Sequence, residues 1–129
     1  MRERQRRRRI NILTRKEIGK RGEEIAAEFL ERRGLRIVDR NYHCRWGELD
    51  LVAEESDSRI HFVEVKTRTG TAYGTPGEAV TYAKQQKIKK TALTWLQEQP
   101  DYFRGISFDV IEICVESGTA KIRWLQHCF

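Results

Sequence analysis

Residues 47–67 read GELDLVAEESDSRIHFVEVKT, two apolar runs parted by an acidic, serine-containing break at Glu55–Arg59. The runs Glu48–Glu54 and Ile60–Thr67 have the β-branched and aromatic make-up of strands, and the break has turn chemistry. A hairpin follows. Alternation predicts Leu49 and Leu51 on one face of the first strand and Glu48, Asp50 and Val52 on the other. In the second strand Phe62, Glu64 and Lys66 share a face, while Val63 and Val65 point away. Register about the turn sets Asp50 opposite Glu64, where directly opposed Cβ atoms lie about 4.5–5.5 Å apart.

Working outward, Gly47 leads into this hairpin, Asn41–Trp46 reads as a polar and aromatic connection, and Leu35–Arg40 as a short strand. Thr14 and Glu17 form a capping-box pattern that opens a helix from about Arg15 to Arg33. Ile18, Ile25, Ala26, Phe29 and Leu30 fall on one side of it, and Gly34 is placed to stop it. Beyond the hairpin, Arg68–Gly77 carries three glycines, three threonines and Pro76, a functional length of loop. A second helix spans about Thr81–Gln99, with Ile88, Ala92, Trp95 and Leu96 on its apolar stripe and Pro100 at its end. Ile106–Cys114 and Ala120–Gln126 read as strands joined at Ser117-Gly118. The resulting order, α-β-β-β-α-β-β, implies an α/β fold: a mixed sheet flanked by helices over one core.

A chain of 129 residues, 39% hydrophobic and 34% charged, suits one domain, read here as 14–129 behind a basic arm at 1–13. The arm is expected to be disordered, since Arg6, Arg7, Arg8 and Arg9 repel one another. Nothing approaches the ~18–20 apolar residues that span a bilayer, so no membrane partner is expected. The opening arginines are followed by no hydrophobic stretch, which argues against a secretory signal and for a cytoplasmic location. Cys44, Cys114 and Cys128 form no CxxC pair and fit a reducing compartment.

The formal charge of +6 is unevenly spread. Residues 1–21 hold ten Lys/Arg and two acids; residues 22–129 hold fifteen bases and seventeen acids. The whole basic excess therefore lies at the N-terminal end, where Arg6–Arg9 suit phosphate contact through counterion release. A solvated tail has the same composition.

Asp50 and Glu64 raise a chemical problem. Two carboxylates opposed in apolar strands repel each other and lose hydration. A divalent cation resolves this, and carboxylate oxygens suit Mg²⁺ or Mn²⁺ with waters and phosphate oxygens completing the shell. Lys66 shares their face and can act on the attacking water or on charge building at phosphorus. Acid, acid and lysine make a minimal kit for phosphodiester hydrolysis. The plain alternative is an exposed ion pair, because Glu-x-Lys on a strand is common. Arg68 can reach a phosphate bidentately. Lys84, Lys87, Lys89 and Lys90 form a ridge facing nucleic acid or merely solvent, and Tyr42, Trp46 and Tyr73 can stack on unpaired bases or pack.

The segments Gly22-Glu23, Asn41-Tyr42, Gly47–Val52 and Phe62–Arg68 together resemble the YraN family of small bacterial proteins. That family is similar to archaeal Holliday-junction resolvases and to the PD-(D/E)xK nucleases. The resemblance covers roughly residues 17–114. It implies a restriction-endonuclease-like core, α-β-β-β-α-β, and an endonuclease acting on DNA, with branched or unusual structures as an analogy. Asp50 takes the place of the motif aspartate, and Glu64 and Lys66 that of the Glu-x-Lys. Glu23 matches the helical acid that resolvase-like members add to the metal site, giving Glu23, Asp50 and Glu64 as ligands. Lys84 or Gln85 matches the second-helix residue that orients substrate, and Gln85 joins Asp50, Glu64 and Lys66 in the expected catalytic set. Leu49 stands where the motif has proline, which supplies no ligand. A symmetric homodimer would present two sites to two strands. The alternative function is a nucleic-acid-binding module of the same fold that does not cut.

Overall fold

The computed structural model describes residues 3–9, 15–69 and 80–129, with side chains for 21–68 and 80–129. Its elements are β1 (Glu3–Arg9), α1 (Arg15–Glu31), β2 (Arg36–Cys44), β3 (Gly47–Glu54), β4 (Arg59–Thr69), α2 (Tyr82–Gln97), β5 (Gly105–Glu116) and β6 (Thr119–Leu125). The expected α-β-β-β-α-β core is present. Six strands form one sheet in the order β1-β6-β5-β4-β3-β2. Only β4 and β5 run parallel, as their connection through α2 requires; the other neighbours are antiparallel.

Local chemistry sets the boundaries. Gly34 has φ +88, and the amides of Leu35 and Gly34 bond to the carbonyls of Leu30 and Glu31 at 3.1 and 3.0 Å. This is the Schellman ending, which needs the left-handed conformation that glycine adopts at no steric cost. Thr81 caps α2, its hydroxyl accepting from the Lys84 amide at 3.2 Å. Ser117 and Gly118 both have positive φ, 50° and 73°, which makes the two-residue turn that matches strand twist.

Two expectations are corrected. Residues 3–9 are not disordered: β1 pairs along β6 from Glu3↔Leu125 to Arg9↔Thr119. Without it the outer amides and carbonyls of β6 would lie open as a sheet edge, and backbone pairing satisfies them whatever charge the side chains carry. The segment from Asn41 is also not a connection, because β2 continues to Cys44 and leaves only Arg45 and Trp46 to turn. The Thr14 cap and the loop residues Gly70, Tyr73, Gly74, Pro76 and Gly77 lie outside the described residues.

The sheet buries both faces. Against α1 pack Ile25, Phe29 and Leu30 with Leu51, Val63, Ile111, Ile113 and Trp124. Against α2 pack Ile88, Ala92 and Trp95 with Leu49, Val52, Ile60, Phe62 and Val110. Gly22 brings α1 down onto β4: a Cβ there would lie 2.2 Å from Thr67 Oγ1. Gly22→Ala is therefore expected to destabilise by about 1–3 kcal/mol despite alanine's better helix propensity. Urea unfolding checks this, and Thr67→Ala in the same chain should restore most of the loss.

At the opposite end of the strands from Lys66, a buried polar network crosses the α1 face. His61 is 2% exposed; its Nδ1 lies 2.6 Å from Asp109 Oδ2 and its Nε2 2.9 Å from Glu55 Oε1. Asp109 also accepts from Trp124 Nε1 at 2.9 Å and from the Ser107 hydroxyl. Burial works against charge on His61, yet the bonds to the two carboxylates outweigh it and raise its pKa above the usual 6.5. The imidazolium then donates to both. Its stabilising contribution is complete below pH 6.5 and declines as pH rises through the raised value. Stability should fall with alkalinity over that window, and the fall should be shallower in His61→Gln, measured by thermal unfolding at pH 6 to 9.

Candidate active site

The expected hairpin register is observed. Pairs run from Glu54↔Ile60 to Leu51↔Val63, and Asp50 and Glu64 lie one position beyond the last of them. The ladder stops there because Asp50 Oδ2 itself accepts the Val65 amide at 2.9 Å. On the other side, Asn41 lies between the pairs Arg40↔Leu51 and Tyr42↔Leu49, opposite Asp50, with φ 50. Alternation breaks at this point. Leu49 packs with Val52 in the α2 cluster while Leu51 joins the α1 cluster, so the expected grouping of Leu49 with Leu51 is wrong. A left-handed residue in one strand and a side chain capping the next have displaced the simple pleat.

Four acids act on one another electrostatically in this disturbed region. Burial, then the charge of Glu64, then Glu23 and Glu48 push the Asp50 carboxyl up to about 7, against the lowering effect of the Val65 amide. Glu23 on α1 is raised by burial and by Glu48 and Glu64, with Arg40 opposing. One of its carboxylate oxygens, Oε1, is buried without a hydrogen-bond partner. Glu48, given no role from sequence, is thus a fourth member; its position two residues before Asp50 was the available signal. Its carboxylate lies 2.8 Å from His43 Nε2.

Two lysines face these acids. Lys84 Nζ, from α2, is 2.9 Å from Glu64 Oε1, and Glu64 is only 9% exposed. Burial lowers the Lys66 pKa, and the hydrogen bond and charge of Lys84 lower it further, against Glu64 and Asp50. Lys84 moves the other way: burial opposes its charge, but Lys66 and Glu64 outweigh burial and raise it. The two ammonium groups are therefore pushed apart in pKa, Lys66 downward and Lys84 upward.

Other expected residues sit apart. Gln85 Nε2 donates to the Val80 carbonyl at 3.1 Å, which ties the side chain to the start of α2. Arg68 lies farther along β4 beside Cys114, its Nε buried without a partner. Lys87 is exposed and lines a groove of about 420 Å³ with Gly47, Glu48, Glu64, Lys84 and Thr91. Arg6–Arg9 lie on β1, whose side chains are outside the description.

The donor set suits a hard cation, since it consists of carboxylate oxygens and includes an orphaned buried one. It is not a closed cage. Among the described residues no three His, Cys, Asp or Glu side chains are drawn together closely enough to hold a metal ion. Glu64 is held by Lys84 and Asp50 by the Val65 amide. Magnesium is commonly held by one or two carboxylates with waters, a demand that Asp50 and Glu64 can meet.

The model of the uncharacterised protein family UPF0102 matches residues 22–113. The chain belongs to UPF0102. This is the YraN family that the sequence motifs resemble. A UPF0102 protein of Syntrophomonas wolfei is 49% identical over 114 residues, 88% of this chain and 98% of its own. One from Nocardia farcinica is 50% identical over 101 residues, 78% and 79% of the two chains. One from Geobacter sulfurreducens is 48% identical over 113 residues, 87% and 88%. A solved structure, Pyrococcus furiosus SfsA in complex with Ca²⁺, is similar at 17% identity and a TM-score of 0.41, covering 92% of this chain and 66% of that one. Among the described residues of this UPF0102 protein, no helix is long and apolar enough to cross a membrane.

Proposed function

We propose that this UPF0102 protein hydrolyses phosphodiester bonds in nucleic acid, DNA being the favoured substrate, with Mg²⁺ or Mn²⁺ as cofactor. The observation that carries the reading is the meeting of Asp50, Glu64 and Glu23 with the Lys66–Lys84 pair where the β3–β4 ladder ends. Carboxyls pushed up by burial and by neighbouring acids, as Asp50 and Glu23 are, gain from a cation, and a lysine whose pKa is lowered suits proton transfer from water. Asp50 and Glu64 would hold the metal, and Glu23 would support it from α1. When bound, the metal supplies Lewis acidity toward a phosphate oxygen and a more acidic water. Lys84, already cationic, neutralises Glu64 or a substrate phosphate as the strand approaches. Arg68, Lys87 and the β1 arginines would contribute phosphate contacts around this centre.

Thermal unfolding at pH 8 with Mn²⁺, paired with nicking assays on branched and single-stranded DNA, tests the proposal. Manganese should raise the melting temperature of the native chain and leave Asp50→Asn unmoved, and nicking should need both. No manganese shift and no nicking would defeat it.

One observation favours a second reading. Lys84 already compensates Glu64 at 2.9 Å, so the acids can persist without a metal. A binding module that does not cut would show steep salt dependence on DNA and indifference to Mn²⁺.

A further inference from the structure

The β2–β3 turn places an indole beside the candidate active site in a manner that hydrolysis alone does not require. Trp46 is 40% exposed, whereas Trp95 and Trp124 are 3% and 1% exposed. Burying an indole is strongly favourable, so an exposed one flanked by charge is informative. Arg45 and Lys90 bring their cationic groups to 4.5 and 4.9 Å from its ring. The turn is held firmly against α2: a Cβ at Gly47, whose φ is +149, would lie 3.3 Å from Thr91 Oγ1. From this turn the groove lined by Gly47, Glu48, Lys87, Thr91 and Lys84 leads to Glu64. Its volume of about 420 Å³ falls within the ~300–1,000 Å³ of small-molecule pockets.

The charged residues lining this groove balance, and the basic excess lies beside it at the β2–β3 turn. Lys84 and Lys87 line it with Glu48 and Glu64, of which Glu64 is matched by Lys84 and Glu48 lies beside His43; Arg45 and Lys90 add two further cations over the neighbouring indole. A part-exposed indole whose ring is covered only by two mobile cationic side chains, next to a nucleotide-sized groove, fits a polyanion whose phosphates draw the cations off and whose flat groups are free to leave their stack. Paired duplex bases are not free in this way.

We infer that the Arg45-Trp46 turn and the facing side of α2 seat one unpaired nucleotide of a nucleic-acid strand, its base against Trp46 and its phosphate toward Lys84 and Lys87. The inference rests on the nucleic-acid reading above and narrows its substrate class to strands with unpaired positions. A phosphate next to the seated nucleotide lies on the path to Glu64 and Asp50. Arg45 and Lys90 hold the neighbouring phosphates.

The test compares binding of a 12-nucleotide thymidine oligomer and a 12-base-pair duplex to the full chain in EDTA, at one fixed salt concentration. The native chain should prefer the single strand, with quenching of tryptophan emission that Trp46→Phe largely abolishes. Trp46→Ala should weaken the single strand by roughly tenfold and the duplex by less than twofold. Trp46→Phe should keep most of the affinity, because phenylalanine still stacks; this separates stacking from a folding defect. Equal weakening of both ligands, no weakening, or a native preference for duplex overturns the seat. The two proposals fail separately. Metal-dependent nicking that survives while Trp46→Ala binds both ligands as before removes the seat alone. A Trp46-dependent preference without any manganese response keeps the seat and removes the cleavage.

Discussion

Asp50→Asn is expected to give a protein that is more stable than the native chain and has lost its metal response. The carboxyl sits near pH 7 instead of its usual 3.8, because burial and the charges of Glu64, Glu23 and Glu48 disfavour its ionised form. A folded-state pKa above the unfolded one means that the group's contribution is complete below pH 3.8 and is lost as pH rises through about 7. The native chain therefore loses stability across that window, and the asparagine chain does not. The separation should be negligible near pH 4 and reach about 2–4 kcal/mol at pH 8. Asparagine keeps a carbonyl oxygen for the Val65 amide, so the hairpin end stays intact. Urea unfolding of both chains at pH 4, 6 and 8 decides the matter. An unchanged or lower midpoint for the variant at pH 8 would mean that the acids do not oppose one another. The stabilised variant should also show no manganese-dependent rise in melting temperature. A gain in stability joined to a loss of function is the expected mark of groups kept close for chemistry rather than for folding.

The second large effect is at Lys66. Lys66→Ala is expected to lower nicking by about 10²–10⁴-fold, the range ascribed to positioned proton transfer and charge stabilisation. Lys66→Arg distinguishes those two roles. Arginine keeps the charge but stays protonated at every accessible pH. Should Lys66 accept a proton from water, arginine must fail as completely as alanine. The native rate should then climb with pH as the amine, already lowered by burial and by Lys84, loses its proton. An arginine variant that retains near-native nicking would show that only positive charge is needed there. Lys84→Ala gives the cross-check: without its neighbour, Lys66 should titrate at higher pH and carry the rising limb of the rate profile with it.

Much of the site lies within strand periodicity. Asp50, Glu64 and Lys66 belong to two strands joined by a short turn, and a hairpin's register follows from its turn and its buried face. Those three positions, the hairpin, the helix ending at Gly34 and the α-β-β-β-α-β order could all be read from local patterns, since each depends on residues a few positions apart. UPF0102 membership rests on the same stretches.

Contacts between distant elements were decided only by the tertiary structure. Lys84 reaches Glu64 and adds to the effect of burial in lowering Lys66 because α2 packs over β3 and β2 next to β4, and no spacing in the chain encodes that approach. Leu49 changes sides because Asn41 takes a positive φ opposite Asp50, so two strands together override the alternation of one. His61 meets Asp109 and Glu55 through the register of β4 beside β5 and the turn before it, turning an unremarked histidine into a buried charge. Glu3–Arg9 becomes a strand for a reason found in β6, whose outer backbone groups need partners. Periodicity reports which face a residue prefers; what stands opposite that face is fixed by packing, where desolvation and charge act across the sheet.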